Sequence, residues 1–348
     1  MILAINSGST SVKYKLFDAA IKEIFASELA GRHPNAQVFK TLKQTLAKQG
    51  LADNHLKIVH RVVHGGPDFF GPIKLSTAVL EKIKRYSQLA PLHNPYNIKG
   101  IELAGRFFPE SAQYAVFDTA FYSSLPERAK IYPLPMRFYE EYKIKKYGFH
   151  GLSHQYALEV AKKTLGKSRP NLISLHLGSG CSITAIKQGV AVDTSMGYTP
   201  LEGLMMWSRG GDIDLGVILQ NPKSLRTNDG AESKNWKKIL NFESGLMGIA
   251  GPAYHNYLEI IHGYEAGERL AKLAIEMFVY RIQKYIGAYS AILNDPLDGL
   301  IFTGKIGAGL PLTRELICQP LKCVSQVPQL VIPPNEEKMM AQLICDLS

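Results

Sequence analysis

The chain contains two segments with the same pattern: a short apolar strand, a turn of small and polar residues, and a second strand. The first spans residues 2–17 around a turn at 6–11, and the second spans residues 172–186 around a turn at 176–182. Both turns are rich in backbone amides and hydroxyl groups, which can converge on an anion where glycine lets it approach. Because the second segment repeats the first about 170 residues later, the sequence predicts a duplicated domain with a cleft between the copies.

Strands and helices alternate through most of the remaining chain. Residues 335–347 are expected to form a last helix, because Asn335 is a good N-cap and two glutamates follow it. Mixed strands and helices predict an α/β fold, and 348 residues are enough for two domains. Helical periodicity marks residues 78–89, 155–163 and 266–293, and strand-like runs lie at 57–63, 114–117 and 299–303.

The formal net charge of the chain is +10, but its basic residues are scattered and form no recognised nucleic-acid motif. A site for small anions is therefore the better interpretation. The first residues lack a basic segment and turn polar at Asn6, so no signal peptide is expected, and no apolar run is long enough to cross a membrane. The four cysteines form no CxxC pair, which argues against a metal or disulfide framework and predicts a cytoplasmic protein with free thiols.

Arg209 lies among small residues, in the sequence Ser-Arg-Gly-Gly-Asp, and the carboxylates of Asp212 and Asp214 follow it. Flanking glycines let a guanidinium group approach a charged ligand, and its planar fork suits carboxylate or phosphate oxygens. A surface turn with a local ion pair would show the same short pattern. Taken alone, the motif leaves both interpretations open.

Two further charged residues stand where predicted strands end. Arg61 precedes a glycine turn near the end of the strand at 57–63, where it is either an anion ligand or a charge at the sheet edge. Asp118 directly follows the apolar run at 114–117. A carboxylate in that place can orient an arginine or a hydrated metal ion, or it can cap a helix.

His150 and His154 lie four residues apart, on either side of Gly151. A zinc pair would need this spacing on a helix together with a further ligand, and Gly148 and Gly151 argue against a helix here. We therefore expect a histidine that donates a hydrogen bond to an anion.

Two glycine-containing segments resemble nucleotide fingerprints without matching them. The run Gly166-Lys167-Ser168 looks like the end of a Walker A motif, but Ala161 occupies the position of its first glycine. Residues 304–309 have the wrong spacing for a dinucleotide fingerprint. They do follow a predicted strand, so a nucleotide or phosphate could still meet them.

Together the motifs resemble those of the acetate kinase family, in family order and over nearly the whole chain. The resemblance implies a duplicated two-domain fold of the actin/sugar-kinase/Hsp70-like type, built on ribonuclease H-like domains, and a homodimer. It also implies reversible transfer of the γ-phosphoryl group of ATP to acetate, with Mg²⁺ or Mn²⁺ as the metal and acetyl phosphate and ADP as products. The matching segments are residues 6–13, 60–66, 117–121, 147–154, 176–182, 193–214, 244–248, 284–289, 302–307 and 334–337.

The resemblance also implies how the chain divides. Residues 1–121 together with 335–348 would form the first domain, on the acyl and metal side of the cleft. Residues 122–334 would form the second domain, which carries the nucleotide side and the dimer contact.

Roles at the acyl and phosphoryl end follow from the same resemblance. Arg61 would hold the substrate carboxylate, while Arg209 and His150 would stabilise the transferring phosphoryl group. Asp118 belongs to the catalytic set, but a carboxylic acid of pKa roughly 4–5 is already ionised at neutral pH, so no base is needed. Orienting Arg209 or metal-bound water is the better role for Asp118. The apolar pocket for the methyl group would consist of Val63, Leu92, Phe149 and Pro200.

Roles at the metal and nucleotide end are implied in the same way. Asn6 and Glu336 would help to hold Mg²⁺, and Lys13 would contact phosphate. The residues expected around the nucleotide and its phosphates are His176, Leu177, Gly178, Ser179, Gly180, His255, Asn256, Tyr257, Gly304, Lys305, Ile306, Gly307 and Ala308.

The chain departs from the family pattern at the nucleoside end. Lys305 stands where the family has glycine, Ala308 stands where it has glutamate, and the run His255-Asn256-Tyr257 replaces a segment that ends in Asp-x-Arg. Tyr122 replaces a histidine, and the chain is some fifty residues shorter than typical members. Weaker or different adenine recognition is therefore expected. The alternatives left open are a propionate kinase, a donor without a nucleoside such as pyrophosphate, and a catalytically silent binding protein.

Overall fold

Two mixed sheets form the frame of the computed structural model, which describes residues 1–30, 33–48, 56–220, 236–345 and 347. The first sheet has the strand order β3-β2-β1-β4-β6-β5, and the second has the order β11-β10-β7-β8-β9. The strands are β1 Ile2–Ser7, β2 Ser11–Phe17, β3 Glu23–Ala30, β4 Lys57–Val62, β5 Ile73–Lys74, β6 Ala112–Phe117, β7 Leu172–Leu177, β8 Cys181–Lys187, β9 Val190–Thr194, β10 Gly299–Thr303 and β11 Gln329–Val331.

The two sheets share one connectivity. In the first, β1, β2 and β3 form an antiparallel meander, and β1 pairs in parallel with β4, which pairs in parallel with β6. In the second, β7, β8 and β9 form the same meander, and β7 pairs in parallel with β10 and β10 with β11. The predicted duplication is therefore confirmed, and β5 is the one strand of the first sheet without a counterpart in the second.

Helices cover the faces of the sheets. Among the residues that the structure describes, no helix is both long and apolar enough to cross a membrane. The helices are Ala36–Lys48, Thr77–Arg85, Asn94–Phe107, Glu127–Lys130, Arg137–Glu140, Gly151–Leu165, Gly216–Leu219, Gly245–Ala250, Tyr257–Glu265, Arg269–Leu293, Gly304–Gly309, Pro311–Cys318 and Glu336–Ile344, with shorter turns of 3₁₀ or π type at Tyr86–Leu89, Asp118–Tyr122, Ile239–Glu243 and Lys322–Val324.

The apolar pattern of the first hairpin explains its burial. Both faces of β1 are covered, so Leu3 and Ile5 pack with helices Ala36–Lys48 and Asn94–Phe107, while Ile2 and Ala4 pack on the opposite face. A strand buried on both faces is a continuous apolar run in sequence. In β2 the apolar residues alternate with lysines, because only one face of this strand turns to the core.

Helix Glu336–Ile344 returns the end of the chain to the first sheet. As predicted, Asn335 caps it, and its side chain accepts a hydrogen bond of 3.3 Å from the Lys338 amide. Its apolar face, with Met340 and Ile344, joins the cluster of Ile2 and Ala4. This packing supports, as a proposal, the division into residues 1–121 plus 335–348 and residues 122–334.

Helix Gly151–Leu165 lies between the two sheets. Leu152 belongs to the cluster of the first sheet, whereas Leu158 and Ala161 pack with Leu172 and other residues of the second. Gly151 does not prevent a helix, since one begins there, but His150 precedes it in a left-handed conformation, so the two histidines do not share one helix, as expected. Glycine is needed for another reason: a Cβ atom at this position would lie 1.8 Å from the Asp118 carbonyl oxygen.

Candidate active site

Arg61 and Asp118 form a buried ion pair at the end of the first sheet. Strands β4 and β6 are parallel neighbours with Val62 opposite Phe117, so the two charged residues end adjacent strands. The Nε of Arg61 donates to Oδ1 of Asp118 over 2.9 Å, and Nη2 donates to Oδ2 over 2.7 Å. The side chain of Asp118 is only 1% exposed. Asp118 therefore orients Arg61 and forms no hydrogen bond with Arg209 among the described residues, while the alternative role toward metal-bound water stays a prediction.

More than one carboxylate contributes to the electrostatic field at Arg61. Burial acts to lower its pKa, but the bidentate contact with Asp118 and the negative charges of Glu336 and Glu337 outweigh that effect and raise the pKa. The guanidinium group is therefore a fixed cation. Because the carboxylate of Asp118 occupies its Nε and Nη2 atoms, a substrate carboxylate has to meet the remaining part of the fork.

Two buried asparagines hold the backbone that follows Arg61. The side-chain oxygen of Asn97 accepts from the Val63 amide over 3.1 Å, and its nitrogen donates to the Ser7 carbonyl over 2.7 Å. Asn94 accepts from the His64 amide over 3.0 Å. Sequence reasoning missed both asparagines, and their only signal is that they begin a helix directly beside the predicted pocket residue Leu92.

A cavity of about 260 Å³ lies between residues 88–93 and the loop that carries Arg209. Leu92 and Pro200 line it as predicted, together with Arg209 and His93. Val63 and Phe149 do not line it: they belong to a buried cluster that also contains Ala90, a residue of the cavity wall. Their contact with a bound methyl group stays a prediction.

His93 is a second wall residue that sequence reasoning missed. Burial, together with the positive charges of Arg209 and Arg61, lowers its pKa to about 4, although the negative charge of Asp118 acts in the opposite direction. The ring is therefore neutral at physiological pH. The charges of both arginines and of Asp118 are near enough to act on this ring.

Arg209 is a partly buried cation without a counterion. Its Nη1 atom donates to the Pro200 carbonyl oxygen over 3.3 Å and contacts the sulfur of Met206, but no described carboxylate pairs with it. Burial lowers its pKa. The alternative of a surface turn with a local ion pair is thereby excluded for the described residues, and a desolvated guanidinium group is left for an anion.

Asp212 fixes the loop that carries Arg209. Its Oδ1 accepts from the Gly203 amide over 2.7 Å, and its Oδ2 accepts from the Tyr285 hydroxyl over 2.7 Å. Tyr285 belongs to the long helix Arg269–Leu293, so the loop is tied to a helix that packs on the second sheet. Asp214 accepts from the Gly216 amide and caps the turn that follows.

His150 and Arg209 converge on Gly180. The Cβ atom that Gly180 lacks would lie 3.1 Å from Nε2 of His150 and 4.0 Å from Nη1 of Arg209. A side chain here would fill the space between the two groups, so glycine keeps it open. His150 has a φ of 57°, a left-handed backbone conformation that costs free energy in a non-glycine residue and is often found at functional sites.

Three histidines cluster at this point, and their rings are neutral. The rings of His150 and His176 are 4.3 Å apart between centroids, and His154 lies in the first turn of the adjacent helix. Burial lowers the pKa of His176 to about 4 and lowers the pKa values of His150 and His154 well below the usual range. In the described part of the chain, no group of three His, Cys, Asp or Glu side chains is arranged to hold a metal.

The expected Mg²⁺ ligands lie at the end of β1 and at the start of the last helix. Asn6 donates to Oε1 of Glu337 over 3.2 Å, and Glu337 is 4% exposed. Glu336 is the first residue of the same helix. Amide and carboxylate oxygens suit Mg²⁺, which keeps several waters and often binds through only one or two carboxylates plus phosphate. The donor set fits this ion, and Glu337 is a member that sequence reasoning missed.

Lys13 lies opposite Asn6 in the β1–β2 ladder. Its ammonium group is 3.7 Å from a carboxylate oxygen of Glu28 on the next strand, and both side chains are well exposed. Such a pair is weak in water. Lys13 is therefore able to exchange Glu28 for a phosphate, and that contact stays a prediction.

A second cavity, of about 460 Å³, is lined in part by Gly178 and Ser179, which directly precede Gly180. It brings together residues from three predicted segments that are far apart in sequence. Its walls include Gly178, Ser179, Trp207, His255, Asn256, Tyr257, Leu258, Lys305, Ile306 and Leu310.

The remaining predicted nucleotide residues support this cavity or lie beside it. His176 and Gly180 lie beside His150, whereas Leu177 and Gly307 are buried. Gly304 has a φ of 80°, and a Cβ atom there would lie 2.3 Å from the Leu177 carbonyl oxygen. The turn after β10 thus requires glycine at this position, while Ala308 is absent from the wall of the cavity.

The unusual run at 255–257 has a local structural reason. Asn256 caps helix Tyr257–Glu265: its side chain accepts from the Glu259 amide over 3.1 Å, and Glu259 accepts in turn from the His255 amide over 2.6 Å. This reciprocal pattern is close to a capping box. The residues that replace the family's acid and arginine therefore start a helix at the edge of the cavity.

Comparisons of sequence and of structure with known proteins agree on one family. The model of the acetokinase family matches residues 32–326. An acetate kinase of Sulfurovum sp. (strain NBC37-1) is 49% identical over 265 residues, which cover 76% of this chain and 65% of that protein. An acetate kinase of Dictyoglomus turgidum is 39% identical, with 98% of this chain and 96% of that protein covered. The crystal structure of a propionate kinase from Francisella tularensis superposes with a TM-score of 0.88 at 36% identity, covering 98% of each chain.

Proposed function

The chain belongs to the acetokinase family, and from this premise we propose the reaction that its site carries out. It is a phosphotransferase with a carboxyl group as acceptor. The proposed reaction is reversible in-line transfer of the γ-phosphoryl group of ATP to acetate, which gives acetyl phosphate and ADP. The homodimer and the cytoplasmic location expected from the sequence stay predictions.

One observation supports this proposal most directly: the turn after β7 connects the two cavities. Gly178 and Ser179 line the larger cavity, while Gly180 lies beside His150 and Arg209. Arg209 in turn lines the smaller cavity. A donor in the larger cavity and an acid in the smaller one would therefore present their reacting ends to the same two side chains.

The acceptor needs orientation rather than a base. Acetate is ionised at neutral pH, so Arg61 binds a charge that is already present, and Asp118 holds the guanidinium group in place. Arg209 and the neutral ring of His150 then face the oxygens of the phosphoryl group as it moves between donor and acceptor. Fixed donors of this kind stabilise charge in the transition state.

The metal side of the site consists of Asn6 and Glu336, with Glu337 beside them. When bound, Mg²⁺ would neutralise phosphate charge. Asn6 is held by its hydrogen bond to Glu337, which would fix the orientation of its side chain for the metal. Lys13 on the facing strand would add a positive charge for the phosphates.

The proposal is tested by an assay with purified protein, MgATP and acetate, in which hydroxylamine traps acetyl phosphate. We expect acetyl hydroxamate to form in proportion to enzyme, and ATP to form from ADP and acetyl phosphate in the reverse direction. Absence of both reactions with ATP, GTP and pyrophosphate would favour a silent binding protein.

The chain length of the carboxylic acid is expected to affect the rate of phosphoryl transfer, because Leu92 and Pro200 line the smaller cavity. Acetate and propionate should be used better than butyrate, since each added methylene must displace a wall and overpacking costs about 1–3 kcal/mol. The variant Leu92→Ala should raise kcat/KM for butyrate relative to acetate by about tenfold. The matched control is Leu134→Ala at an exposed site. Butyrate as the best substrate of the unmodified enzyme would contradict the assignment of the pocket.

Lys305 is expected to contribute to donor binding through its charge. Its side chain is exposed on the wall of the larger cavity and forms no ion pair with a described residue. If the ammonium group meets the phosphates, Lys305→Gly should raise KM about three- to tenfold for ATP and GTP alike, less so at high salt. Lys272→Gly on an exposed helix surface is the control.

A lower KM for ATP in Lys305→Gly would instead show that the side chain of Lys305 obstructs binding of the donor nucleotide. In that case adenine recognition in the unmodified protein would be weak. The volume of the cavity favours a donor that carries a nucleoside, so we expect ATP to exceed pyrophosphate by at least about tenfold in kcat/KM. Equal use of both donors would support the pyrophosphate alternative.

A further inference from the structure

We propose that Ser174, His154 and Ser182 form a hydrogen-bonded relay that holds the ring of His150 in the tautomer with its proton on Nε2. These three are positioning residues, because they act on the reaction only through His150. The inference rests on the proposed function in one respect: it takes the Nε2 atom of His150 to be the one that faces the phosphoryl group.

The relay is continuous across the second sheet and the helix that covers it. The hydroxyl of Ser174 on β7 is 2.8 Å from Nδ1 of His154, and Nε2 of His154 is 2.8 Å from the hydroxyl of Ser182 on β8. The same Ser182 hydroxyl is 2.9 Å from Nδ1 of His150. Ser174, His154 and Ser182 are fully buried or nearly so, so water is unable to take the place of a missing partner.

The Ser182 hydroxyl couples the two histidines. It contacts Nδ1 of His150 and Nε2 of His154 but has only one proton to donate. It therefore donates to one ring nitrogen and accepts from the other. Burial lowers the pKa of each histidine, so each ring carries a single proton. Two arrangements remain: either both rings are protonated on Nε2, or both are protonated on Nδ1.

Ser174 selects between these two arrangements. If His154 carries its proton on Nδ1, that proton points at the Ser174 oxygen, and the Ser174 hydroxyl proton has no other side-chain acceptor among the described residues. An unsatisfied buried hydroxyl costs about 1–3 kcal/mol. If His154 is protonated on Nε2, Ser174 donates to Nδ1 and every group of the relay is satisfied. His150 is then protonated on Nε2 as well.

This tautomer gives His150 the polarity that phosphoryl transfer requires. Its Nε2 atom lies beside Gly180, opposite Arg209. With a proton there, the neutral ring donates a hydrogen bond to a phosphoryl oxygen. With the proton on Nδ1, a lone pair would face the same anionic oxygens and repel them. Ser174, which is three hydrogen bonds away from His150, thus determines the sign of this interaction.

A neighbouring pair provides a matched control. Ser153 is 2.8 Å from Nδ1 of His176, and the His176 ring lies against that of His150. The pair has the same chemistry as Ser174 with His154, and it lies in the same cluster. Among the described residues, neither side chain of this pair is hydrogen-bonded to the Ser182 hydroxyl, so Ser153→Ala should leave the tautomer of His150 unchanged.

The test is nuclear magnetic resonance of the protein labelled with ¹⁵N in its histidine rings, because long-range proton–nitrogen correlations distinguish the two neutral tautomers. His150 is assigned by comparison with His150→Gln. We expect the unmodified protein to show His150 protonated on Nε2. Ser182→Ala and Ser174→Ala should each give a mixture of tautomers at His150, and Ser174→Thr should restore the single form.

Several outcomes would overturn the relay. A His150 ring protonated on Nδ1 in the unmodified protein would do so. So would an unchanged His150 spectrum in Ser174→Ala, or an equal change in Ser153→Ala. None of these measurements needs turnover, so a protein with the predicted spectra and no phosphoryl transfer would refute the proposed function and leave the relay standing.

The kinetic counterpart separates positioning from a merely structural role. Ser174→Ala should lower kcat by about two- to tenfold, the effect of one hydrogen bond, and leave the KM for acetate unchanged. Ser182→Ala should lower kcat by about ten- to a hundredfold, since it contacts His150 directly. We expect Ser174→Thr to recover both kcat and the single tautomer of His150. Recovery of kcat without the single tautomer, or of the tautomer without kcat, would contradict the proposed link between the tautomer and turnover.

Discussion

Replacing Arg209 with alanine is expected to lower kcat by about 10²- to 10³-fold, the usual effect of removing one donor that faces transition-state charge. The guanidinium group has no counterion among the described residues, and it lies beside the space that Gly180 keeps open. Its charge is therefore available to the phosphoryl oxygens. The KM for acetate should change much less, because Arg61 holds the ground-state carboxylate.

The measurement is steady-state kinetics in both directions, with each substrate varied. Arg209→Lys should recover only part of the loss, since an ammonium group keeps the charge but lacks the planar fork. Arg137→Ala, on a short helix whose residues are not buried, controls for the loss of positive charge. A near-normal kcat in Arg209→Ala would show that the phosphoryl group lies elsewhere.

Replacing Asp118 with asparagine is expected to lower the free energy of unfolding by about 3 kcal/mol and kcat/KM for acetate by about 10²-fold, because removing one partner of a buried pair leaves the other charge uncompensated. The loss should lie mainly in the KM for acetate, since Arg61 loses the two hydrogen bonds that orient it. A general base would give the opposite signature, a loss in kcat at constant KM.

A double-mutant cycle sharpens this test. The variant with both Arg61→Ala and Asp118→Ala should unfold at lower denaturant concentration than the unmodified protein but at higher concentration than Asp118→Ala alone, because the second change removes the stranded charge. Asp295→Asn is the control: its ion pair with Lys187 is 2.8 Å long, but both side chains are about 40% exposed, so little stability should be lost. Additive effects of the two changes would refute coupling between Arg61 and Asp118.

The duplicated fold could be predicted because its signals are local. The alternation of β2 and the small residues of both turns are set by residues adjacent in sequence. The partner of Asp118 could not be predicted in this way, since it depends on β4 and β6 being neighbours in the sheet. The family resemblance identified Asp118 and Arg61 separately, and only the strand order joined them.

Other residues were missed because their roles depend on contacts between segments that are far apart in sequence. Asn94 and Asn97 look like ordinary helix-start residues, and nothing near them in sequence shows that they bind the backbone after Arg61. Glu337 is a similar case, since adjacent glutamates on a helix point about 100° apart. Sequence reasoning chose Glu336 for the metal side, whereas the carboxylate that contacts Asn6 is that of Glu337.

The return of helix Glu336–Ile344 to the first sheet has a consequence for synthesis of the protein. On the ribosome, β1 and β4 emerge early, but Ile2, Ala4 and Val59 are covered on one face by Met340 and Ile344. Leu152 packs in the same cluster, but the part that Met340 and Ile344 cover stays open until residues 336–344 have been translated. The nascent chain therefore carries an exposed apolar surface for most of its elongation, and this half of the protein should depend on chaperones until residues 336–344 leave the exit tunnel.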